Sequence, residues 1–292
     1  MEVSIVGVGK MGGALAIALT KAGHTIGQLI VRDRKVSKKV SKLIGGEGAM
    51  RSWSSAREIE SELILICTGD AEISSAVQQL AKFVRPGQIV LHTSGSLTSE
   101  ILRPLGELGC YVGSLHPLVS VSDPVKGSQS FGGAYFCVEG HTKAVSAARK
   151  IVREIGGKPF TIQTEKKALY HASAVTVAGH VVALFESGVE MLVNCGISRK
   201  DAEKVLLPLT KSAVENLSSQ SPADALTGTF ARLDVDGLER HVQALKDIPA
   251  ELQEIYFDLA GRSLSLVESK GIKDKRIAKM RRMIFVAKGK RR

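Results

Sequence analysis

The first thirteen residues, MEVSIVGVGKMGG, constrain the fold of this chain more than any other segment. A short apolar strand at Val3–Val6 leads into the pattern Gly7-x-Gly9-x-x-Gly12, and the helix-forming run Ala14–Ala22 follows directly. This context is typical of a dinucleotide-binding site. Gly7 permits the tight turn, Gly9 lets a pyrophosphate approach the backbone, and Gly12 lets the helix pack closely on the strand. The segment therefore predicts a nucleotide cofactor, against the alternative of an ordinary glycine turn.

The hydrophobic pattern divides the chain into an α/β part and an all-helical part. Strand and helix signals alternate to about residue 162, whereas only helical patterns follow, and the length of 292 residues suits about two domains. We therefore predict a doubly wound α/β Rossmann domain with a mostly parallel sheet over residues 1–163 and an all-α domain over residues 164–269. A basic helix and tail complete the chain at residues 270–292. The predicted strands are Val3–Val6, Ile26–Val31, Leu63–Thr68, Gln88–His92, Tyr111–Leu115, Tyr135–Val138 and Pro159–Ile162.

The net charge of +11 is concentrated at the carboxyl end of the chain. Residues 270–292 hold eleven of the forty basic residues and one of the twenty-nine acidic residues, so the remainder is almost neutral. Nucleic-acid binding would rest on this tail alone, and Phe285 is its one aromatic residue, so it offers no platform for base stacking. A solvated last helix with a frayed end is the expected structure.

Cysteine usage and hydropathy place the protein in the cytoplasm. The four cysteines show no CxxC spacing, which argues against a zinc ribbon, a redox dithiol or a secreted disulfide framework. The first strand begins at once, so no signal peptide is expected. The most apolar stretch, Ala172–Phe185, is shorter than a bilayer span and contains His180, and we therefore expect a core helix and no membrane insertion.

The end of the second strand bears on which dinucleotide binds. An NAD site would carry an acidic residue there for the ribose 2′-hydroxyl, and the sequence has Arg32, Asp33, Arg34 and Lys35. Arg32 and Arg34 suit a 2′-phosphate through charge-assisted contacts, which favours NADP, although Asp33 could serve a plain ribose. The predicted cofactor contacts are Gly7, Gly9, Lys10, Met11, Gly12, Arg32, Arg34, Thr68 and Ser94.

Polar groups follow three further strands of the predicted sheet, where ligands bind in open α/β folds. Thr68 ends one strand, Ser94 and Ser96 lie in the turn HTSGS after the next, and His116 precedes Pro117 after the third. The two serines could hold a ribose, a nicotinamide amide or a substrate carboxylate, or could equally cap a helix. His116 is either a site residue or a hydrogen-bonded structural histidine.

The start of the helical domain carries a second candidate pair. Lys167 and His171 are four residues apart and share one face of a helix. Such a pair could supply a proton donor beside a carbonyl or imine, because histidine titrates near neutrality and an ammonium lowers its pKa. The alternative is a charged first turn with one histidine facing solvent.

Five segments together resemble a known family. They are GVGKMGGALAIAL, HTSGS, GSLHPL, KALYHASAVTVAGHVVAL and LTGTFARLDVDGLERHVQAL. The family consists of Rossmann-like proteins with an appended helical domain of unknown function. It is similar to the 6-phosphogluconate dehydrogenase-like reductases, which include ketopantoate reductase, pyrroline-5-carboxylate reductase and deazaflavin-dependent NADP reductases. The resemblance extends to about residue 265.

The resemblance also implies roles for individual residues. Lys167 matches a catalytic lysine of ketopantoate reductase, whereas His171 replaces the asparagine that follows four residues later. Thr229 stands where the family usually has proline and Leu233 where it usually has glycine. Thr227, Arg232 and His241 are implied to line the substrate cleft.

These observations together predict an NADP(H)-dependent oxidoreductase that transfers hydride to a small carbonyl or imine substrate between the two domains. Lys167, His171 and His116 are its catalytic candidates. The helix Ala168–Val193 has more apolar residues than one packed face can use, which predicts a homodimer. The alternative is a non-catalytic NAD(P)-binding sensor or partner-binding protein, which the missing asparagine would favour.

Overall fold

A computed structural model describes residues 1–31, 34–46 and 49–289, without the side chains of residues 34–37. The chain forms two compact units, which we call the N-terminal unit (Met1–Ala178) and the C-terminal unit (Gly179–Arg292). The N-terminal unit has a hydrophobic core on each face of its sheet, and the C-terminal unit has a core of its own.

An eight-stranded sheet organises the N-terminal unit. Its strands are β1 (Glu2–Val6), β2 (Thr25–Ile30), β3 (Met50–Arg51), β4 (Leu63–Ile66), β5 (Ile89–His92), β6 (Tyr111–Pro117), β7 (Tyr135–Gly140) and β8 (Lys158–Phe160). The order is β3-β2-β1-β4-β5-β6-β7-β8, and β6–β7 is the one antiparallel pair among the described strands. All seven predicted strands are present, and β3 is additional. The doubly wound α/β class is thus confirmed.

Strand β4 illustrates why both faces of the sheet are covered. All four of its residues are buried, and alternate side chains enter different cores because side chains alternate across a strand. Leu63 and Leu65 join the core beneath the first helix, whereas Ile64 and Ile66 join the core on the opposite face. A continuous apolar run is therefore the expected pattern for this strand.

Helices cover the two faces of the sheet. Those of the N-terminal unit are α1 (Lys10–Lys21), α2 (Arg34–Leu43), α3 (Asp70–Leu80), α4 (Arg103–Glu107), α5 (Pro124–Gln129) and α6 (Thr142–Glu154). Sequence patterns did not predict α5, although Asp123 caps it by accepting hydrogen bonds from the backbone N–H groups of Val125 and Lys126. The long helix α7 (Lys167–Val193) begins in this unit.

The C-terminal unit is helical throughout its described residues. After the end of α7 it contains α8 (Arg199–Asn216), α9 (Pro222–Ala225), α10 (Gly228–Ala231), α11 (Val235–Ala244), α12 (Ala250–Ser269) and α13 (Lys275–Gly289). Helix α13 contains much of the basic segment that the sequence set apart, yet it buries Ile277, Met280 and Ile284 in the core of this unit. The basic residues therefore lie on a helix that packs along one face.

Leu233 has an unusual backbone in the C-terminal unit. Its φ of 52° makes it the one non-glycine residue with a positive φ among those described. An L side chain is strained in this left-handed region, which accounts for glycine at this position in the family that the chain resembles. Its side chain is only 4% exposed within the core, so apolar burial offsets the strain.

Helix α7 is longer than the apolar stretch suggested. With the preceding turn it spans Thr164–Val193, and by length and composition this is the one helix of the described residues that could cross a membrane. The expectation of a core helix was wrong, because none of the most apolar part of this helix is buried. Several of its apolar side chains are at least one-third exposed: Leu169, Val175, Val177, Val181, Val182, Leu184 and Val193.

Candidate functional site

The glycine loop after β1 has the geometry of a dinucleotide site. Gly7 has a φ of 89°, and a Cβ atom on Gly12 would lie 2.0 Å from the carbonyl oxygen of Gly7. Both glycines are therefore required for the loop itself. A Cβ atom on Gly9 would meet no atom within 4 Å, so this position borders open space. Gly9 precedes Lys10 and Met11 at the amino end of α1, where backbone N–H groups can bind an anion.

A pocket of about 740 Å³ opens beside this loop. Its lining comes from the carboxyl ends of β1, β2 and β4, the segment after β3 and the first turns of α3. The Thr68 hydroxyl in its wall is buried and has no hydrogen-bond partner. Because a buried polar group without a partner is costly, this hydroxyl is suited to a ligand. The unpartnered Thr68 hydroxyl and the open space at Gly9 are both consistent with a dinucleotide in this pocket.

The described wall of the pocket is almost without charge. Glu72 is the one charged side chain among its described lining residues. Of the predicted phosphate contacts, Arg32 lies outside the described residues, and so does the side chain of Arg34. Cys67 also lines the pocket, and burial raises the pKa of its thiol to about 12, so it is no nucleophile at neutral pH.

The turn after β5 links this pocket to a histidine cluster. The Ser94 hydroxyl accepts hydrogen bonds from the backbone N–H groups of Ser96 and Leu97, so it braces the turn. The Ser96 hydroxyl donates to Asp70 at 2.8 Å and thereby joins this turn to the start of α3. A Cβ atom on Gly95 would lie 2.7 Å from His116 Nε2, so only glycine allows the ring to approach.

His116, Tyr170 and His171 form the histidine cluster. His116 Nδ1 lies 2.6 Å from the Tyr170 hydroxyl, and its ring meets that of His171 edge to face at a centroid distance of 5.6 Å. Burial, followed by the charge of His171, lowers the pKa of His116 to about 4. His116 is therefore neutral at pH 7. Burial raises the pKa of Tyr170, which keeps its phenol protonated. The sequence did not single out Tyr170, because its role depends on contact with a distant strand.

Lys167 is buried, whereas His171 is partly exposed to solvent. The Lys167 side chain is fully buried, and its Nζ atom lies 2.9 Å from Glu139 Oε1 and contacts the Ser114 hydroxyl. Glu139 also accepts hydrogen bonds from the backbone N–H and the hydroxyl of Ser99. Burial alone would raise the pKa of Glu139, but the charge of Lys167 and the hydrogen bonds from Lys167, Ser114 and Ser99 together hold this pKa below its ordinary value. The pair is a satisfied internal ion pair that joins β6, β7 and α7.

The remaining cleft candidates belong to the C-terminal unit. Thr227 precedes α10 and Arg232 follows it, and His241 lies on α11 with its Nδ1 atom 2.6 Å from the Tyr256 hydroxyl. The described residues contain no group of three or more histidine, cysteine, aspartate or glutamate side chains that could hold a metal ion.

Two buried histidines predict an acid-sensitive fold. Burial lowers the pKa of both His92 and His116 from 6.5 to about 4. The unfolded chain then binds more protons than the folded one below pH 6.5, so stability is full above pH 6.5 and is lost as the pH falls toward 4. Thermal melts should show a falling midpoint from pH 6.5 to 5, above the range in which most carboxylates titrate.

His92→Gln tests the origin of this loss. The amide can replace the ring in its contacts with the backbone N–H of Ser94 and the carbonyl of Thr98, without taking up a proton. Between pH 6.5 and 5 the variant should lose up to about 2 kcal/mol less stability than wild type. His180→Gln, on an exposed part of α7, is the matched control. An unchanged pH profile in His92→Gln would contradict the explanation.

Comparison with known families fits this architecture. Residues 1–117 match the family described as a Rossmann-like domain, and residues 134–263 match a domain of unknown function, DUF2520. Residues 1–117 are thus a Rossmann-like domain, and residues 134–263 are a DUF2520 domain. A search of curated proteins gave no match. The resemblance read from the sequence is thus confirmed for both parts of the chain.

Solved structures share this fold at low identity. A Thermotoga maritima protein is 23% identical with a TM-score of 0.74, covering 92% of this chain and 100% of its own. A reductive aminase from Aspergillus terreus, in complex with NADPH and ethyl levulinate, is 18% identical with a TM-score of 0.63, covering 96% and 97%. Pyrroline carboxylate reductase from Plasmodium falciparum, with NADP bound, is 15% identical with a TM-score of 0.57, covering 97% and 98%. Such likenesses show the fold.

Proposed function

We propose that this DUF2520 protein is an NADP(H)-dependent oxidoreductase that transfers hydride to a small carbonyl or imine substrate. The observation that carries the proposal is the pocket beside Gly9, with the orphaned Thr68 hydroxyl in its wall. NADP and NADPH bound to two reductases of the same fold support the choice of cofactor. The predicted phosphate contacts Arg32 and Arg34 support it independently.

The residues at the carboxyl ends of the parallel strands would have different roles in binding the cofactor. Gly7, Gly9 and the amino end of α1 would hold the pyrophosphate, and Thr68 would bind the cofactor near it. The nicotinamide ring, when bound, supplies the hydride. Ser94 would shape the adjoining turn rather than bind the cofactor, because it is buried and its hydroxyl braces the turn by accepting two hydrogen bonds.

His171 is the proposed proton donor. It is partly exposed, whereas Lys167 is buried in an ion pair and His116 is neutral. The His171 ring meets that of His116 edge to face at a centroid distance of 5.6 Å, so the two imidazoles lie at the same place in the site. Tyr170 fixes the orientation of His116, and Lys167 positions the start of α7 through Glu139.

Turnover of NADPH tests this assignment. The protein should oxidise NADPH, followed by absorbance, with at least one compound from a panel of 2-oxo acids, cyclic imines and oxidised deazaflavin. His171→Ala should lower this turnover about a hundredfold and leave NADPH affinity nearly unchanged, because general acid catalysis contributes at least that much. Lys166→Ala, at an exposed position next to the start of the same helix, is the control. Tight NADPH binding without turnover of any compound would overturn the reductase assignment.

The second candidate is a sensor that binds the dinucleotide without turnover. The burial of Lys167 favours it, because the residue that matches a catalytic lysine is here part of the fold. The sensor predicts NADPH binding that is insensitive to His171→Ala and no reaction with the panel.

We further propose that the protein is a soluble cytoplasmic homodimer. The middle of α7 is exposed on most of its circumference, and Val177 and Val182 are 72% and 69% exposed. A second copy would cover this surface, as the apolar composition of α7 requires. Light scattering at micromolar concentration should give a dimeric mass, and Val177→Glu with Val182→Glu should give a monomer. A monomeric wild type, or one that sediments with membranes, would contradict the proposal.

A further inference from the structure

Trp53 lies in the wall of the cofactor pocket, although no sequence motif pointed to it. It follows β3 and borders the pocket together with Ser52 and Ser54. The segment is held in place, because the Ser52 hydroxyl lies 2.8 Å from that of Ser54 and the Ser52 backbone N–H donates to Ser55 Oγ. The indole therefore occupies a defined position beside the ligand space.

The strand order places Trp53 on one side of the glycine loop and the histidine cluster on the other. From β1, which ends at the loop, the sheet runs through β2 to β3 in one direction and through β4 and β5 to β6 in the other. Trp53 follows β3, whereas His116 lies near the end of β6. A dinucleotide whose pyrophosphate lies at the loop must therefore extend its two nucleosides in opposite directions. The nucleoside that reaches Trp53 is therefore the adenosine, because the nicotinamide must lie near the proposed proton donor His171.

The indole is fixed from one side. Its ring and that of Phe83 are nearly parallel, at an angle of 18° and a centroid distance of 6.3 Å. Both rings pack against the core that contains Ile64 and Ile66. Trp53 is nevertheless partly exposed and borders the pocket. A preordered aromatic ring at the border of a pocket suits stacking on a planar base.

We infer that Trp53 stacks on the adenine ring of the bound dinucleotide and that the hydroxyls of Ser52 and Ser54 lie at its ribose. This inference rests on the proposed function, which supplies the dinucleotide. It makes the segment after β3 part of the cofactor site, next to residues that belong to the loop and to α3.

The chain provides its own reporter, because Trp53 is its single tryptophan. Adenosine 2′,5′-bisphosphate, which represents the adenosine half of NADP, should quench or shift the indole emission in a saturable manner. Nicotinamide mononucleotide, which represents the other half, should leave this emission unchanged. Neither probe has the 340 nm absorption of NADPH, so energy transfer to a reduced nicotinamide does not contribute to the signal.

Two substitutions separate stacking from general packing. Trp53→Leu keeps an apolar side chain but removes the aromatic face, and calorimetry should show adenosine 2′,5′-bisphosphate and NADPH binding about tenfold to a hundredfold more weakly. Trp53→Phe keeps an aromatic face and should bind within a few-fold of wild type. Thermal melts establish whether both variants are folded. If Trp53→Leu does not fold, the binding affinity of Trp53→Phe still tests the inference.

The outcomes distinguish this inference from the proposed function. If wild type binds NADPH by calorimetry but its emission does not respond to adenosine 2′,5′-bisphosphate, or if Trp53→Leu binds as tightly as wild type, the inference is overturned and the proposed function stands. A response to nicotinamide mononucleotide alone would also overturn it. If wild type binds no NADPH at all, the proposed function is contradicted, and the inference that rests on it falls with it.

Discussion

Replacing Lys167 by methionine is expected to destabilise the protein by about 3–5 kcal/mol, because the substitution leaves the Glu139 carboxylate buried without its cation. Both side chains are at most 3% exposed, so water cannot take the place of the ammonium. Denaturant unfolding of wild type and variant measures the difference.

The double variant isolates the ion pair from packing. Adding Glu139→Gln to Lys167→Met removes the unpaired charge. The amide oxygen can still accept from the Ser99 backbone N–H, and the amide NH2 can donate to the Ser99 hydroxyl, so most of the lost stability should return. Lys166→Met, at the exposed neighbouring position, should change stability by less than about 0.5 kcal/mol. A folded Lys167→Met protein of wild-type stability that has lost turnover would contradict this account and return Lys167 to the role of proton donor.

The second large effect is expected in the glycine loop. Alanine at Gly9 should weaken NADPH binding, whereas alanine at Gly12 should lower the stability of the fold. Gly9→Ala should fold like wild type, because its Cβ atom meets nothing within 4 Å. The same atom would enter the space expected for the pyrophosphate, so NADPH affinity should fall by about 3 kcal/mol, or roughly a hundredfold. Calorimetry and thermal melts of one preparation measure both quantities.

Gly12→Ala provides the contrast. Its Cβ atom would lie 2.0 Å from the Gly7 carbonyl oxygen, so the helix must move away from the strand. The expected cost is about 3 kcal/mol of stability, or some 6–12 °C in melting midpoint. If Gly9→Ala bound NADPH as tightly as wild type, the pyrophosphate could not lie at this loop.

The fold of this protein was largely predictable because its strongest signals are local. Strand β4 reads as a strand from its own apolar residues, and α1 follows from the glycine pattern before it. Strand β3 was missed because it has only two residues, Met50 and Arg51, and no alternation can show in so short a segment. Its existence depends on pairing with β2.

The candidate site was less predictable, because its side chains meet across long sequence separations. Spacing placed Lys167 and His171 on one helix face, but the ion-pair partner of the buried Lys167 is Glu139, 28 residues earlier on strand β7. An acidic residue at the end of the apolar strand YFCVE was a usable signal, since a buried carboxylate needs a cation. No comparable signal marks Trp53, whose contact with the pocket depends on strand order.

The most direct test of the account is a calorimetric titration of the protein with NADPH and with NADH. We expect one NADPH per chain and an affinity about a hundredfold higher than that for NADH, from two charge-assisted contacts worth roughly 3 kcal/mol together. Arg32→Ala with Arg34→Ala should remove most of this preference, whereas Lys38→Ala with Lys39→Ala, an equal loss of charge in the same segment, should retain it. Equal affinities, a preference for NADH, or no binding of NADPH would contradict the central claim.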